Sequence, residues 1–181
     1  MTILSVIVLG LIYPFVMTGL AQVMFPHQAN GSLVTVNGQV VGSSIVGQLW
    51  TKPQYFHGRP SAAGKNGYDP TSTGGTNYGP SSKKLIDSTR ATIAALKKEN
   101  PNATVPIPMD LVTSSGSGID PDISPQAAYY QAPRVAQARK MDVKAVDDLI
   151  ARNTKGRTFG FLGEPRVNVL QLNLALDAAR P

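Results

Sequence analysis

No cysteine occurs in the 181 residues, which excludes a disulfide framework, a thiolate zinc site, an iron–sulfur cluster and cysteine catalysis. Histidine is nearly as scarce, and two imidazoles leave little material for a metal centre. Charge is thin as well, at 15% of residues, where an ordinary soluble domain carries about a quarter. The balance of 17 Lys and Arg against 11 Asp and Glu gives +6, yet residues 1–51 hold no charged side chain and the first is Lys52. No internal repeat is visible. The length allows one ordinary domain and little more.

What fills the charge-free stretch is apolar. Residues 3–25, ILSVIVLGLIYPFVMTGLAQVMF, would rise roughly 34 Å as a helix, enough for a hydrocarbon core of about 30 Å. We therefore expect a transmembrane helix at 3–25, followed by one extracytoplasmic domain at 26–181. Pro14 is tolerated inside a membrane helix when its freed carbonyl is satisfied, and Gly10, Gly19 and Ala21 would let a partner helix approach closely. A cleaved signal peptide is the rival reading, since Gly19-Leu20-Ala21 has cleavage-type spacing. The run is too long for that and has no basic leader.

The remaining pattern predicts an α+β domain with a small antiparallel sheet and several helices. Leu33–Val36 and Gln39–Val41 flank Asn37-Gly38, the preferred dipeptide of a type I′ hairpin, and 44–50 could extend that sheet. Residues 53–80 hold six Gly, four Pro and seven Ser, Thr or Asn among 28, so they form no regular element. Their Tyr55, Phe56, Tyr68 and Tyr78 nevertheless point to a packed loop. Helices are expected at 81–100, from Pro125 to about Lys140 with an interruption at Pro133, from Asp142 onwards, and at about 168–178.

Candidate chemistry fails site by site. Gly58–Asn66 reads GRPSAAGKN, one residue too long for a phosphate loop, with Asn66 in place of the magnesium-binding hydroxyl. His57 has no carboxylate near in sequence to orient it, and a structural hydrogen-bonding role is expected. Asp120 and Asp122 fall short of a calcium loop, and Asp122 or Ser124 reads better as a helix cap. Arg134, Arg139, Lys140 and Lys144 could form a basic face, but Asp142, Asp147 and Asp148 dilute it, and a translocated domain meets no nucleic acid. No catalytic residue and no metal site are expected.

Six segments in order, FPHQANGSL (25–33), GSSIVGQ (42–48), YFHGRPSA (55–62), SGIDPDISPQAA (117–128), PRVAQAR (133–139) and VNVLQLNLALD (167–177), together resemble the KdpC family. These are C subunits of the bacterial Kdp potassium-transporting ATPase. Family members carry a short basic stretch before the span, so the resemblance implies a start truncated at Met1-Thr2.

The resemblance implies a non-catalytic, single-span accessory subunit of a high-affinity potassium uptake complex in the bacterial inner membrane. Its expected partners are the channel-like KdpA, which handles potassium, the P-type ATPase KdpB and the small single-span KdpF. It also implies a need for this chain in assembly and activity, and one family proposal makes it a catalytic chaperone that raises the ATP affinity of the pump. That proposal associates ATP with the glutamine of SPQAA, here Gln126. Otherwise this chain is expected to bind no cofactor. Docking on partners is expected through Tyr55, Phe56, His57, Arg59 and Asn77, and helix packing through Gly10, Pro14, Gly19 and Ala21. Arg59 could equally clamp its own loop. The alternative is a free-standing, membrane-anchored binding protein for an anionic ligand.

Overall fold

The charge-free run folds as one helical span, Thr2–Met24, long and apolar enough to cross a membrane. A computed structural model describes the chain over residues 1–179. The span consists of α1 (Thr2–Ile7), a π-helical turn (Val8–Ile12) and α2 (Tyr13–Met24). The π turn answers Pro14: the Tyr13 N–H bonds back five residues to the Val8 carbonyl, widening the turn that the pyrrolidine ring would otherwise strike. Ile3, Phe15 and Val23 are among the many apolar side chains it exposes.

After the span comes a single turn, α3 (Pro26–Ala29), where the amides of Gln22 and Asn30 exchange hydrogen bonds at 3.4 and 3.2 Å. The hairpin forms as predicted from β1 (Leu33–Val36) and β2 (Gln39–Ser43), with Asn37 at φ 51° and Gly38 at φ 79° in its turn. The expected extension through 44–50 does not occur, and the sheet stays two-stranded. Ser43 explains why: its hydroxyl donates to the Gly31 carbonyl at 2.6 Å and accepts from the Ile45 N–H at 3.2 Å, turning the chain out of the ladder. Residues 1–45 form one compact unit, and the chain from Val46 onward forms another.

The second unit holds α4 (Lys83–Glu99), α5 (Pro125–Arg139), α6 (Val143–Asn153) and α7 (Val169–Ala178). It also holds a three-stranded antiparallel sheet, ordered β3 (Asp122–Ile123), β5 (Arg166–Asn168), β4 (Thr154–Lys155). Central β5 sets Val167 opposite both Ile123 and Thr154. Each following helix is capped by a side chain that accepts a backbone N–H: Ser124 from Ala127 at 3.0 Å, Asp142 from Lys144 at 3.0 Å and Asn168 from Gln171 at 3.1 Å. The helix cap before α5 is thus Ser124, and Asp122 lies in β3.

The core joins Phe56, Ile123, Val135, Val146, Ile150, Val167, Leu172 and Leu176. Contrary to expectation, α5 runs uninterrupted through Pro133. An interior proline costs about 3 kcal/mol. Eight of the fifteen residues of α5 are buried, and packing on that scale outweighs the local penalty.

Candidate functional site

A backbone segment threaded among side chains dominates the interior of the second unit. Residues 53–57 form neither helix nor strand, yet Phe56 has no exposed surface. A buried irregular backbone needs partners for its N–H and C=O groups, and here side chains of α5 and α7 supply them. Asn173 accepts from the Phe56 N–H at 2.8 Å and donates to its carbonyl at 3.1 Å. Gln131 does the same for His57, at 2.8 and 3.1 Å. Each amide therefore stands in for a neighbouring β-strand. Successive residues of an extended chain present opposite edges, so one clamp comes from α7 and the other from α5.

Two arginines complete the clasp. Arg134, only 8% exposed, donates through Nη1 to the carbonyls of Pro53 (2.5 Å) and Tyr55 (3.1 Å), through Nε to Asn100 Oδ1 (3.0 Å) and through Nη2 to Gln131 Oε1 (2.8 Å). Its planar fork of donors makes this possible, and burial lowers its pKa from the ordinary arginine value. Arg139 donates to the Gln54 carbonyl at 2.7 Å, pairs with Asp177 at 2.7 Å and lies 4.9 Å from the centre of the Tyr55 ring. The Tyr55 hydroxyl reaches Asp177 at 3.2 Å, and its ring packs on Trp50. Arg134 and Arg139 are thus structural arginines, which adds a second reason against the basic face that the sequence reading set aside.

Beyond the clasp, a cleft of about 300 Å³ opens between 49–68 and the C-terminal half of α4, lined in part by Trp50, His57, Arg59, Tyr68, Leu96 and Glu99. His57 Nε2 lies 3.1 Å from the Lys52 carbonyl, so in the neutral ring Nε2 carries the hydrogen and Nδ1 turns its lone pair towards Glu99 Oε2, 3.6 Å away. Burial, with Arg134 nearby, holds the imidazole below its usual pKa. Glu99 is a carboxylate that the local sequence lacked, and it pairs with the ring only when Nδ1 is protonated.

Arg59 pairs with Asp120 at 3.0 Å, while its Nε is buried without a partner among the described residues. The Tyr68 hydroxyl donates to the Arg59 carbonyl at 2.7 Å, and burial followed by the Asp120 charge pushes its pKa up to about 12. Below it, Ser61 Oγ donates to the Gly118 carbonyl at 2.5 Å and accepts from the Tyr68 N–H at 2.8 Å. Gly118, at φ 72°, fits because a Cβ there would stand 2.6 Å from that of Ala63. GRPSAAGKN is therefore folded on its own neighbours.

Of the expected docking residues, Tyr55, His57 and Arg59 are half-buried, and only Asn77 is exposed, in the left-handed region at φ 52°. Phe56 lies wholly in the core and has no surface to offer a partner, which corrects its assignment to docking. Gln126 is exposed in the first turn of α5, on a groove formed by Val105, Pro106, Ile107, Met109, Tyr129 and the Asp110 carboxylate. Asp110 is occupied with Ser124, accepting from its N–H at 2.7 Å and its hydroxyl at 3.1 Å. Asp122 is bound to Arg166 Nε at 3.1 Å, and no group of three metal-ligating side chains occurs among the described residues.

The sequence reading missed Gln131 and Asn173. A signal existed: Asn173, like Gln171, is an amide amid the leucines of VLQLNLAL, and a polar group on a buried face must find a partner.

Together these features define an α+β unit, organised around its own backbone, in a chain that begins with a span-length apolar helix. Comparison with known proteins identifies the particular kind. The family model for KdpC, the c chain of the K+-transporting ATPase, matches residues 1–178. A potassium-transporting ATPase KdpC subunit from Acidobacterium capsulatum is 57% identical over 176 residues, 97% of this chain and 93% of that one. The KdpC subunit of Koribacter versatilis is 51% identical over 181 residues, 100% and 92% of the two chains. That of Methylococcus capsulatus is 50% identical over 180 residues, 99% and 95%. The chain belongs to the KdpC family and is an accessory subunit of the potassium uptake complex.

Proposed function

We propose that this subunit acts by bracing and docking. Residues 3–25 anchor it in the bacterial inner membrane, and residues 26–181 lie outside the cytoplasm, against the channel-like KdpA that handles potassium. KdpB hydrolyses ATP, KdpF completes the assembly, and this chain is needed for the complex to form and work. The clasp around 53–57 carries the reading: Gln131, Arg134, Arg139 and Asn173 all serve the fold, which suits a rigid brace. Asn77, exposed, and half-buried Tyr55, His57 and Arg59 remain the docking candidates, and Gly10, Pro14, Gly19 and Ala21 those for helix packing.

The catalytic-chaperone idea needs coupling rather than contact. ATP is cytosolic, and the groove beside Gln126 offers apolar side chains and a carboxylate, a poor lining for a polyphosphate. An effect on ATP affinity would then pass through two states of the complex that this subunit binds unequally.

The deciding measurement is potassium-stimulated ATPase activity of the pump subunits purified with and without this chain. Assembly and activity only with the chain support the proposal, and unchanged activity without it overturns it. In the assembled complex, Q126A is expected to leave the apparent ATP affinity unchanged. A clear loss would return Gln126 to a nucleotide role.

A further inference from the structure

The connection between β4 and β5 is a short hairpin prong. Thr158 and Leu162 exchange both backbone hydrogen bonds at 2.9 Å, and the Phe161 N–H closes a turn on the Thr158 carbonyl at 3.3 Å. At its base, Arg157 Nη2 reaches both Glu164 carboxylate oxygens, at 2.9 and 2.7 Å. The prong is therefore held in one shape, and its one cation and one anion neutralise each other.

Its tip inverts the usual order of side chains. Phe159 is 84% exposed, Phe161 70% and Leu162 49%. Phe159 also sits at φ 53°, with Gly160 at φ 82°, in the two central positions of a type I′ turn. That first position favours Asn, Asp or Gly, and a bulky aromatic there is a genuine conformational outlier. Neither folding nor solubility selects an exposed phenylalanine in a strained turn. Strain of this kind points to function, and rings ordered before binding lose little freedom on being buried.

We infer that residues 157–164 are a docking prong whose phenylalanines insert into an apolar pocket on another subunit of the same potassium-transporting complex. The inference rests on the subunit reading above. A protein pocket suits the prong better than lipid does: its shape is fixed, and its paired Arg157 and Glu164 leave the tip no net charge to draw anionic headgroups.

The test uses the full chain co-expressed with the other subunits and purified through a tag on one of them. F159N replaces the strained phenylalanine with a residue the turn favours, so the variant chain folds and its own unfolding temperature does not fall. Retention in the complex should nevertheless weaken by about tenfold or more for each ring removed, as for buried aromatic anchors, with F159N/F161S weaker than F159N. A photo-reactive benzophenone side chain placed at position 161 should cross-link to a second subunit. Undiminished retention of F159N/F161S overturns the inference, as does cross-linking to lipid alone. Failure of the wild-type chain to co-purify is a separate result, which overturns the subunit reading and the prong with it.

Discussion

Residues 53–57 and 157–164 are both irregular connections that carry aromatic side chains, and they use them in opposite ways. In the first, Phe56 is in the core, Tyr55 lies beside Arg139, and the backbone is bound by four side chains from two helices. In the second, the backbone hydrogen bonds run within the prong itself, and the rings stand in solvent. The difference lies in where the polar groups are. Buried amides and guanidinia allow a loop to enter a core, because unmatched backbone groups there would each cost about 1–3 kcal/mol. A prong that satisfies its own hydrogen bonds needs no such partners and can stay outside. The first connection is built for stability and the second for contact, so mutations should separate them.

The largest effect is expected at Arg134. R134A orphans the Pro53 and Tyr55 carbonyls and Asn100 Oδ1 and leaves Gln131 Oε1 with His57 alone, and should destabilise the chain by about 3 kcal/mol or more, measured by denaturant unfolding. R134K keeps the charge but not the fork, and should recover only part of the loss. Wild-type stability in R134A would show that the clasp does not hold the loop. Next comes N173L, which keeps the branched side-chain skeleton but removes both bonds to Phe56, for a loss of about 2–3 kcal/mol. Both variants should leave the prong intact, whereas F159N should leave the isolated chain's stability unchanged or higher.

Much of this fold was legible because its signals are local. The span, the Asn37-Gly38 turn and the capped helices follow from runs, dipeptides and period. The three-stranded sheet was not legible: β3 and β4 have two residues and β5 three, too short for alternation to register. The continuous α5 was hidden because burial of its neighbours overrides the local cost of Pro133. Of the candidate site, the sequence indicated that 53–80 is packed but not what it packs on. The partners that α5 and α7 supply to 53–57 lie 74 to 122 residues away, and no spacing rule reaches that far. His57 illustrates the same limit, since the carboxylate beside its ring, Glu99, comes from α4.

The smallest effect expected tests the rim of the clasp through pH. Burial, then Arg134, lowers the folded-state pKa of His57 below its ordinary value of 6.5, so the fold favours the neutral ring. The contribution is fully present above pH 6.5 and is lost as pH falls towards the folded-state pKa, because the unfolded chain takes up the proton first. Asp122, whose pKa burial raises, works in the opposite sense and nearer the carboxylate range. Comparing variant with wild type at each pH isolates the histidine. Melting temperature should drop on acidification from about pH 7.5 to about pH 5.5, and H57Q, whose amide can still donate to the Lys52 carbonyl, should reduce that drop. An equal drop in H57Q would mean that the imidazole is not the titrating group. F159N, remote in design from this chemistry, should keep the wild-type pH slope, so a change there would join two regions that the structure keeps apart.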